Sequence, residues 1–225
     1  IPGMGPVAGK LRFTGYLRRE VPQTAAPIDS AQPVPEPGYI LVTTGGGGDG
    51  EELIDWVIAA YERDPSLTHR ALILFGPFMA AERRAAFQAR VARDPRLQAL
   101  TFEARVEPLF ERAAAVVAMG GYNTFCEILS FGKPALLVPR TMPRLEQYLR
   151  AERADVLGLV RMLANDGVRD PRRMAASLHE LPRMPVLAHE VRAPMLQGLE
   201  RISRLVEPWL GPRHELPELR RSRYA

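Results

Sequence analysis

Residues 39–50 read Tyr-Ile-Leu-Val-Thr-Thr-Gly-Gly-Gly-Gly-Asp-Gly. The first six (YILVTT) form a compact run rich in β-branched side chains, suited to a strand buried on both faces. The run stops at glycines 45–48 and Gly50, and residues 51–63 then place Leu53, Ile54, Val57, Ile58 and Tyr61 at helical spacing. Strand, glycine turn and helix in that order open a βαβ unit. Glycines let a backbone approach a ligand closely, and a helix start offers unpaired N–H groups and a partial positive charge. The stretch predicts a phosphate cradle; its plainer reading is a tight connection.

Outward from it the rhythm repeats. Residues 69–76 (HRALILFG), 97–102, 115–119 (AVVAM), 134–138 (PALLV) and, more weakly, 158–163 read as strands. Helical patterns cover 80–93, 107–114, 123–131, 144–153, 171–181 and 191–209. This alternation predicts an α/β fold, a doubly wound Rossmann-like parallel sheet of about six strands with helices on both faces. Ligands in such sheets sit beyond the carboxyl ends of the strands, where strand order reverses. The loops after Thr44, Gly76, Phe102, Met119 and Val138 are therefore the ones to inspect. Residues 11–20 (LRFTGYLRRE) read as an incoming strand with a basic turn, and five prolines between 22 and 37 as a surface connection. The expected division is 1–38 for strand and connection, 39–210 for the Rossmann-like domain, and 211–225 as a basic mobile tail.

The 225 residues, 46% apolar and 25% charged, suffice for a large core and exclude disordered, collagen-like or disulfide-stapled chains. No segment approaches the roughly 20 apolar residues that cross a bilayer, and residues 1–10 lack the pattern of a signal peptide. The single Cys126 reads as a buried thiol in a reducing, cytoplasmic compartment. Net charge is +4, dispersed and almost all arginine, so nucleic acid is not the expected partner. Peripheral contact with an anionic membrane on the cytoplasmic face stays open. Ile1 stands where an initiator Met would, which reads as the trace of a cut from a longer protein.

Gly45, Gly47 and Gly50 satisfy G-x-G-x-x-G, but a dinucleotide site also asks for an acidic residue about 20 positions on, at the end of the second strand. That strand ends Phe75-Gly76-Pro77, which disfavours NAD, and no G-K-[ST] ending makes the run a P-loop. A second strand-glycine-helix unit reads Met119-Gly-Gly-Tyr-Asn-Thr-Phe-Cys-Glu127. Asn123 and Thr124 suit a cap or a phosphate contact, and Glu127, a turn further in, suits the two hydroxyls of a ribose or plain solvation. A third piece, Val138-Pro-Arg-Thr-Met-Pro-Arg-Leu-Glu146-Gln147, offers Arg140 and Arg144 to a diphosphate and Glu146 and Gln147 to sugar hydroxyls. Taken singly, each reads as an ordinary surface residue. No His, Cys, Asp or Glu cluster has metal-ligand spacing, and the four histidines lie outside these loops.

Together, GGGGDG, then GGYNTFCEILSFGKPALLVPR, then LEQ resemble the C-terminal, donor-binding domain of GT-B glycosyltransferases, family 28 most closely, over residues 11–163. The Gly-Gly-x-x-Thr-x-x-Glu block and the Gly-Lys-Pro-Ala strand start are its specific parts. The resemblance implies that Gly45, Gly46, Gly47, Gly48, Gly121, Tyr122, Asn123 and Thr124, with Arg140, hold a nucleotide diphosphate. It implies Glu127 on the ribose, Glu146 and Gln147 on the donor sugar, and the loop 104–109, with Arg105, Val106 and Leu109, on the base. Residues 13–19 resemble the crossing from an N-terminal domain. GGGGDG replaces the GGSxG-like form common in the peptidoglycan enzyme of this family, and Thr141-Met142-Pro143 replaces a His-containing segment, so the donor sugar stays open.

The expected function is transfer from a nucleotide-diphosphate sugar, most simply a UDP-sugar, to an acceptor hydroxyl. The acceptor and the catalytic base are expected on an N-terminal domain, so this half alone is expected to be inactive. No metal or cofactor is expected. The alternatives are a nucleotide-sugar-binding subunit of a split transferase, a nucleotide-sugar 2-epimerase, and a Rossmann-like domain that has kept no ligand.

Overall fold

The computed structural model describes residues 8–22, 34–46, 48–165 and 167–210. Gly47, much of the proline-rich connection and the expected tail lie outside the described residues.

Six short strands form one parallel sheet: β1 (Ile40–Thr43), β2 (Ala71–Leu74), β3 (Leu97–Leu100), β4 (Ala115–Ala118), β5 (Ala135–Leu137) and β6 (Arg161–Met162). Their spatial order is β3-β2-β1-β4-β5-β6. Strand order therefore reverses between β1 and β4, whose registers run Ile40 opposite Ala115 through Thr43 opposite Ala118. The connecting helices are α1 (Glu51–Arg63), α2 (Ala81–Val91), α3 (Glu107–Arg112), α4 (Tyr122–Phe131), α5 (Glu146–Val156) and α6 (Pro171–Glu180). The chain continues through α7 (His189–Arg192), a 3-10 turn (Ala193–Leu196) and α8 (Gly198–Leu210).

Successive strand residues point to opposite faces, and each face has its own core. Ile40, Val42, Ile73 and Val117 pack with α1, α2 and α6 through Trp56, Phe87 and Met174. Leu41, Leu72, Val116 and Leu137 pack on the other face with α3, α4 and α5 through Phe110, Phe125 and Ala151. Burial on both sides explains why these strands read as unbroken apolar runs. Trp56 is 1% exposed and donates its indole N–H to the Asp170 carbonyl at 2.8 Å, tying α1 to the start of α6. Burying side chains of this size stabilises the fold by roughly 1.5–3 kcal/mol each.

Two expectations are corrected. Residues 11–20 make no strand of the sheet; Leu17 forms a single antiparallel bridge with Gln197. Strand order places β3 and β6 at the edges, and this segment instead lies against the helices: the Arg19 N–H donates to Ser130 Oγ at 2.9 Å. The pattern over 191–209 is not one helix. Pro194, which donates no N–H, and Gly198 mark a break into α7, a 3-10 turn and α8. Gly198 is required there, since a Cβ would lie 2.6 Å from the Tyr16 carbonyl oxygen.

Candidate functional site

Beyond the carboxyl ends of β1 and β4 lies a cleft of about 300 Å³. Thr43, Thr44, Gly45, Gly46 and Asp49 form one wall; Met119, Gly120, Gly121, Tyr122, Asn123 and Thr124 form the other; Arg140 and Gln147 complete it. Its position is the one where doubly wound sheets hold ligands.

The first loop is held from below. The Gly45 N–H donates to Thr43 Oγ1 at 3.3 Å, and Thr44 Oγ1 donates to the Phe75 carbonyl at 3.1 Å. The loop after β2 presses against it: the Phe78 N–H donates to the Gly46 carbonyl at 3.0 Å. Gly76 makes this contact possible, because its φ is 87° and a Cβ would lie 2.6 Å from the Gly45 carbonyl oxygen. The second loop feeds α4, whose N-cap Gly121 supplies no capping side chain. The first N–H groups of a helix have no internal acceptor, so those at the start of α4 are available where α4 meets the cleft, and no acidic residue sits in its first turn.

Of the residues expected to hold a diphosphate, Gly45, Gly46, Gly121, Tyr122, Asn123, Thr124 and Arg140 line this one cleft. Gly48 is described but is not among its lining residues, and Gly47 lies outside the described residues. The Glu146-Gln147 pair is divided. Gln147 is 7% exposed and lines the cleft, and its Oε1 is buried with no hydrogen-bond partner. Glu146 is exposed at the start of α5 and is not part of the lining.

Glu127 is 7% exposed on α4, one turn in from Asn123. Burial, reinforced by the like charge of Glu107, pushes its carboxyl up to about 7, and the Arg19 guanidinium opposes that rise. Glu107, whose charge Glu127 feels, opens α3 at the end of the loop 104–109, and Glu127 itself is not among the residues lining the cleft. In that loop the Arg105 N–H donates to Glu103 Oε1 at 2.9 Å, and Arg105 and Val106 are half-buried. Leu109 is corrected: it is 0% exposed within the core beneath the sheet, so its side chain has no surface to offer a base.

Three residues were missed by sequence reasoning. Arg19 Nη2 donates to Asn123 Oδ1 at 3.1 Å. Arg150 Nη1 donates to the Gly120 carbonyl at 2.8 Å, with its guanidinium 5.9 Å from the Tyr122 ring centroid. Asp49 pairs with Arg140. Helical spacing was the available signal for Arg150, three residues after Gln147; for the other two, nothing local marked the contact. Lys133, within the Gly-Lys-Pro-Ala block, serves the scaffold: its ammonium donates to the Glu111 and Ala113 carbonyls, each at 2.8 Å.

Residues 40–203 match the glycosyltransferase family 28 C-terminal domain. The chain belongs to that family. An uncharacterized glycosyltransferase of Methanosarcina acetivorans is 30% identical over 131 residues, covering 58% of this chain and 31% of that protein. The chain thus spans about a third of that relative's length. Among solved structures, the glycotransferase of kitacinnamycin superposes with a TM-score of 0.61 at 20% identity, over 87% of this chain and 48% of that one. MurG of Acinetobacter baumannii gives 0.58 at 19% identity, over 77% and 52%. CalG4, the calicheamicin glycosyltransferase, gives 0.57 at 20%, over 88% and 46%. At these identities the likeness is one of fold: the family 28 domain here has the architecture of a GT-B C-terminal half. Among its described residues no helix is long and apolar enough to cross a membrane.

Proposed function

We propose that this domain binds a nucleotide-diphosphate sugar, with UDP as the simplest nucleotide, and presents its anomeric carbon to an acceptor hydroxyl carried by a further domain or subunit. The observation that carries the reading is the convergence, at the point of strand reversal, of two glycine loops, the uncapped start of α4, Arg140 and the unpartnered amide oxygen of Gln147. The diphosphate lies against the α4 N–H groups and Arg140, Glu127 takes the ribose hydroxyls, the base rests toward Arg105 and Val106, and Gln147 reads the sugar. As the glycosidic bond breaks, negative charge grows on the departing diphosphate. Fixed N–H dipoles and a guanidinium stabilise that charge with little reorganisation.

The acceptor and the base that deprotonates it are assigned to the remaining half. A place for it is suggested by α8, on which Leu199, Leu205, Trp209 and Leu210 are all exposed, Trp209 at 87%. These side chains, with Ile202 and Val206, fall on one face at helical spacing, and such a face asks for a partner.

Isothermal titration with UDP, GDP, UDP-N-acetylglucosamine, UDP-glucose and NAD tests the reading. Binding of a uridine diphosphate and its sugars is the expected result. Binding of NAD in preference to every sugar nucleotide overturns it.

A further inference from the structure

Among the described residues lining the cleft, Asp49 and Arg140 carry the only formal charges, and they are paired with each other. They come from the loops after β1 and β5, the two strands that flank β4, so their ion pair joins loops on either side of the second glycine loop. Both are partly open to solvent, their side chains 42% and 30% exposed, yet Arg140 Nε is buried with no hydrogen-bond partner. Arg140 is thus engaged by a carboxylate on one edge of its guanidinium and unsatisfied at Nε. A guanidinium is built to take two oxygens of one anion side by side, and a single internal carboxylate leaves this one incompletely used.

We propose that Asp49 is a resident counter-anion that sets the affinity of the cleft for diphosphate ligands. This rests on the reading of the cleft as a nucleotide-diphosphate site. Before a ligand arrives, Asp49 neutralises Arg140. An incoming diphosphate displaces the carboxylate and takes over the edge of the guanidinium that Asp49 held. The exchange breaks one ion pair to form another, so affinity reflects the difference between two anions rather than the full attraction of Arg140. A neutral nucleoside needs no exchange and is indifferent to Asp49.

The experiment is calorimetric titration of the full chain with UDP, inorganic pyrophosphate and uridine, using wild type, Asp49→Asn, Arg140→Ala and the double variant. Asp49→Ser serves as an independent replacement, and thermal melts establish that each variant is folded. Asp49→Asn is expected to tighten UDP and pyrophosphate by about threefold to tenfold and to leave uridine unchanged. In the Arg140→Ala background that gain is expected to shrink to less than about twofold, the coupling a double-mutant cycle isolates. If wild type binds UDP and neither Asp49 replacement gains affinity, the inference fails while the site stands. An equal gain with and without Arg140 also overturns it, since Asp49 would then act only as a repelling charge. If UDP and pyrophosphate bind no variant, the reading of the cleft itself falls, and this inference with it.

Discussion

The two glycine loops that face each other across the cleft look alike in sequence and differ in electrostatics. Each follows a buried strand and opens a helix whose N-cap is a glycine without a capping side chain. The helix after the first loop carries Glu51 and Glu52 in its opening turn; the helix after the second carries no acid there. Glu51 also pairs with Arg83 at 2.7 Å, and Glu52 with Arg169 at 2.7 Å and Asn165 at 2.8 Å. The positive end of α1 is therefore already matched by the protein's own carboxylates, whereas that of α4 is left for something else. Glycine content alone does not make an anion site. On the proposed reading of the cleft, the first loop supplies close approach and the second supplies the field.

That division can be broken by giving the second loop the acid of the first. Thr124→Glu is expected to weaken UDP binding by about a hundredfold, the roughly 2–3 kcal/mol of a charge about 5 Å from a phosphate. The melting temperature should hold or rise slightly, because an acid near a helix start stabilises the helix. Calorimetry paired with a thermal melt checks both; undiminished affinity would show that α4 does not face the anion.

The carboxylates of the two helices also titrate in opposite directions. Hydrogen bonds from Asn165 and Arg169 hold Glu52 below its usual range, whereas burial holds Glu127 up at about 7. An acid whose pKa rises on folding keeps its proton longer in the folded state. It therefore costs nothing below its unfolded value near 4.5, and the cost grows as pH rises to about 7, where it levels off. Glu127→Gln is expected to stabilise the domain by about 2 kcal/mol at pH 8 and negligibly at pH 4. Melts from pH 4 to 8 read this out. Nucleotide binding by the ionised carboxylate should run the other way, strengthening as pH rises through 7 in wild type and losing that dependence in the variant.

Gln147→Ala is expected to cost UDP-sugars about tenfold and free UDP little, as for one lost hydrogen bond in a desolvated site. An equal loss for both ligands would move Gln147 from the sugar to the diphosphate. The smallest effect is expected from Glu51→Gln combined with Glu52→Gln. UDP affinity should change by less than about twofold, with stability falling by about 1 kcal/mol or less, because exposed pairs and helix-end charges contribute that little.

Much of this architecture was legible because a parallel sheet covered on both sides writes its strands as short apolar runs. The helix expected over 51–63 coincides with α1, and each of the six strands expected of the sheet contains an observed one. Legibility failed where the determining contact is remote. Residues 11–20 carry a strand-like pattern but bridge only at Leu17, because position in the sheet depends on neighbours rather than on pattern. The break in 191–209 follows from Pro194 and from a glycine needed for close approach to Tyr16, which periodicity alone does not register. In the site, the glycine loops announced themselves, but Glu146 and Gln147 were read as a unit. Consecutive helical residues diverge by about 100°, so one faces the cleft and the other solvent. The pairing of Asp49 with Arg140 joins residues 91 positions apart, and no local signal marks it.

At one corner of the molecule the segment that precedes the sheet is clasped to the turn that opens α8. The Tyr16 N–H donates to the Met195 carbonyl at 2.7 Å, the Gly198 N–H donates to the Tyr16 carbonyl at 2.9 Å, and Leu17 bridges Gln197 beside them. Backbone hydrogen bonds on both sides of one residue leave that segment little freedom to move apart from the elements it touches. The clasp thus extends the rigid body of the domain to a segment that no hydrogen bond of the sheet reaches.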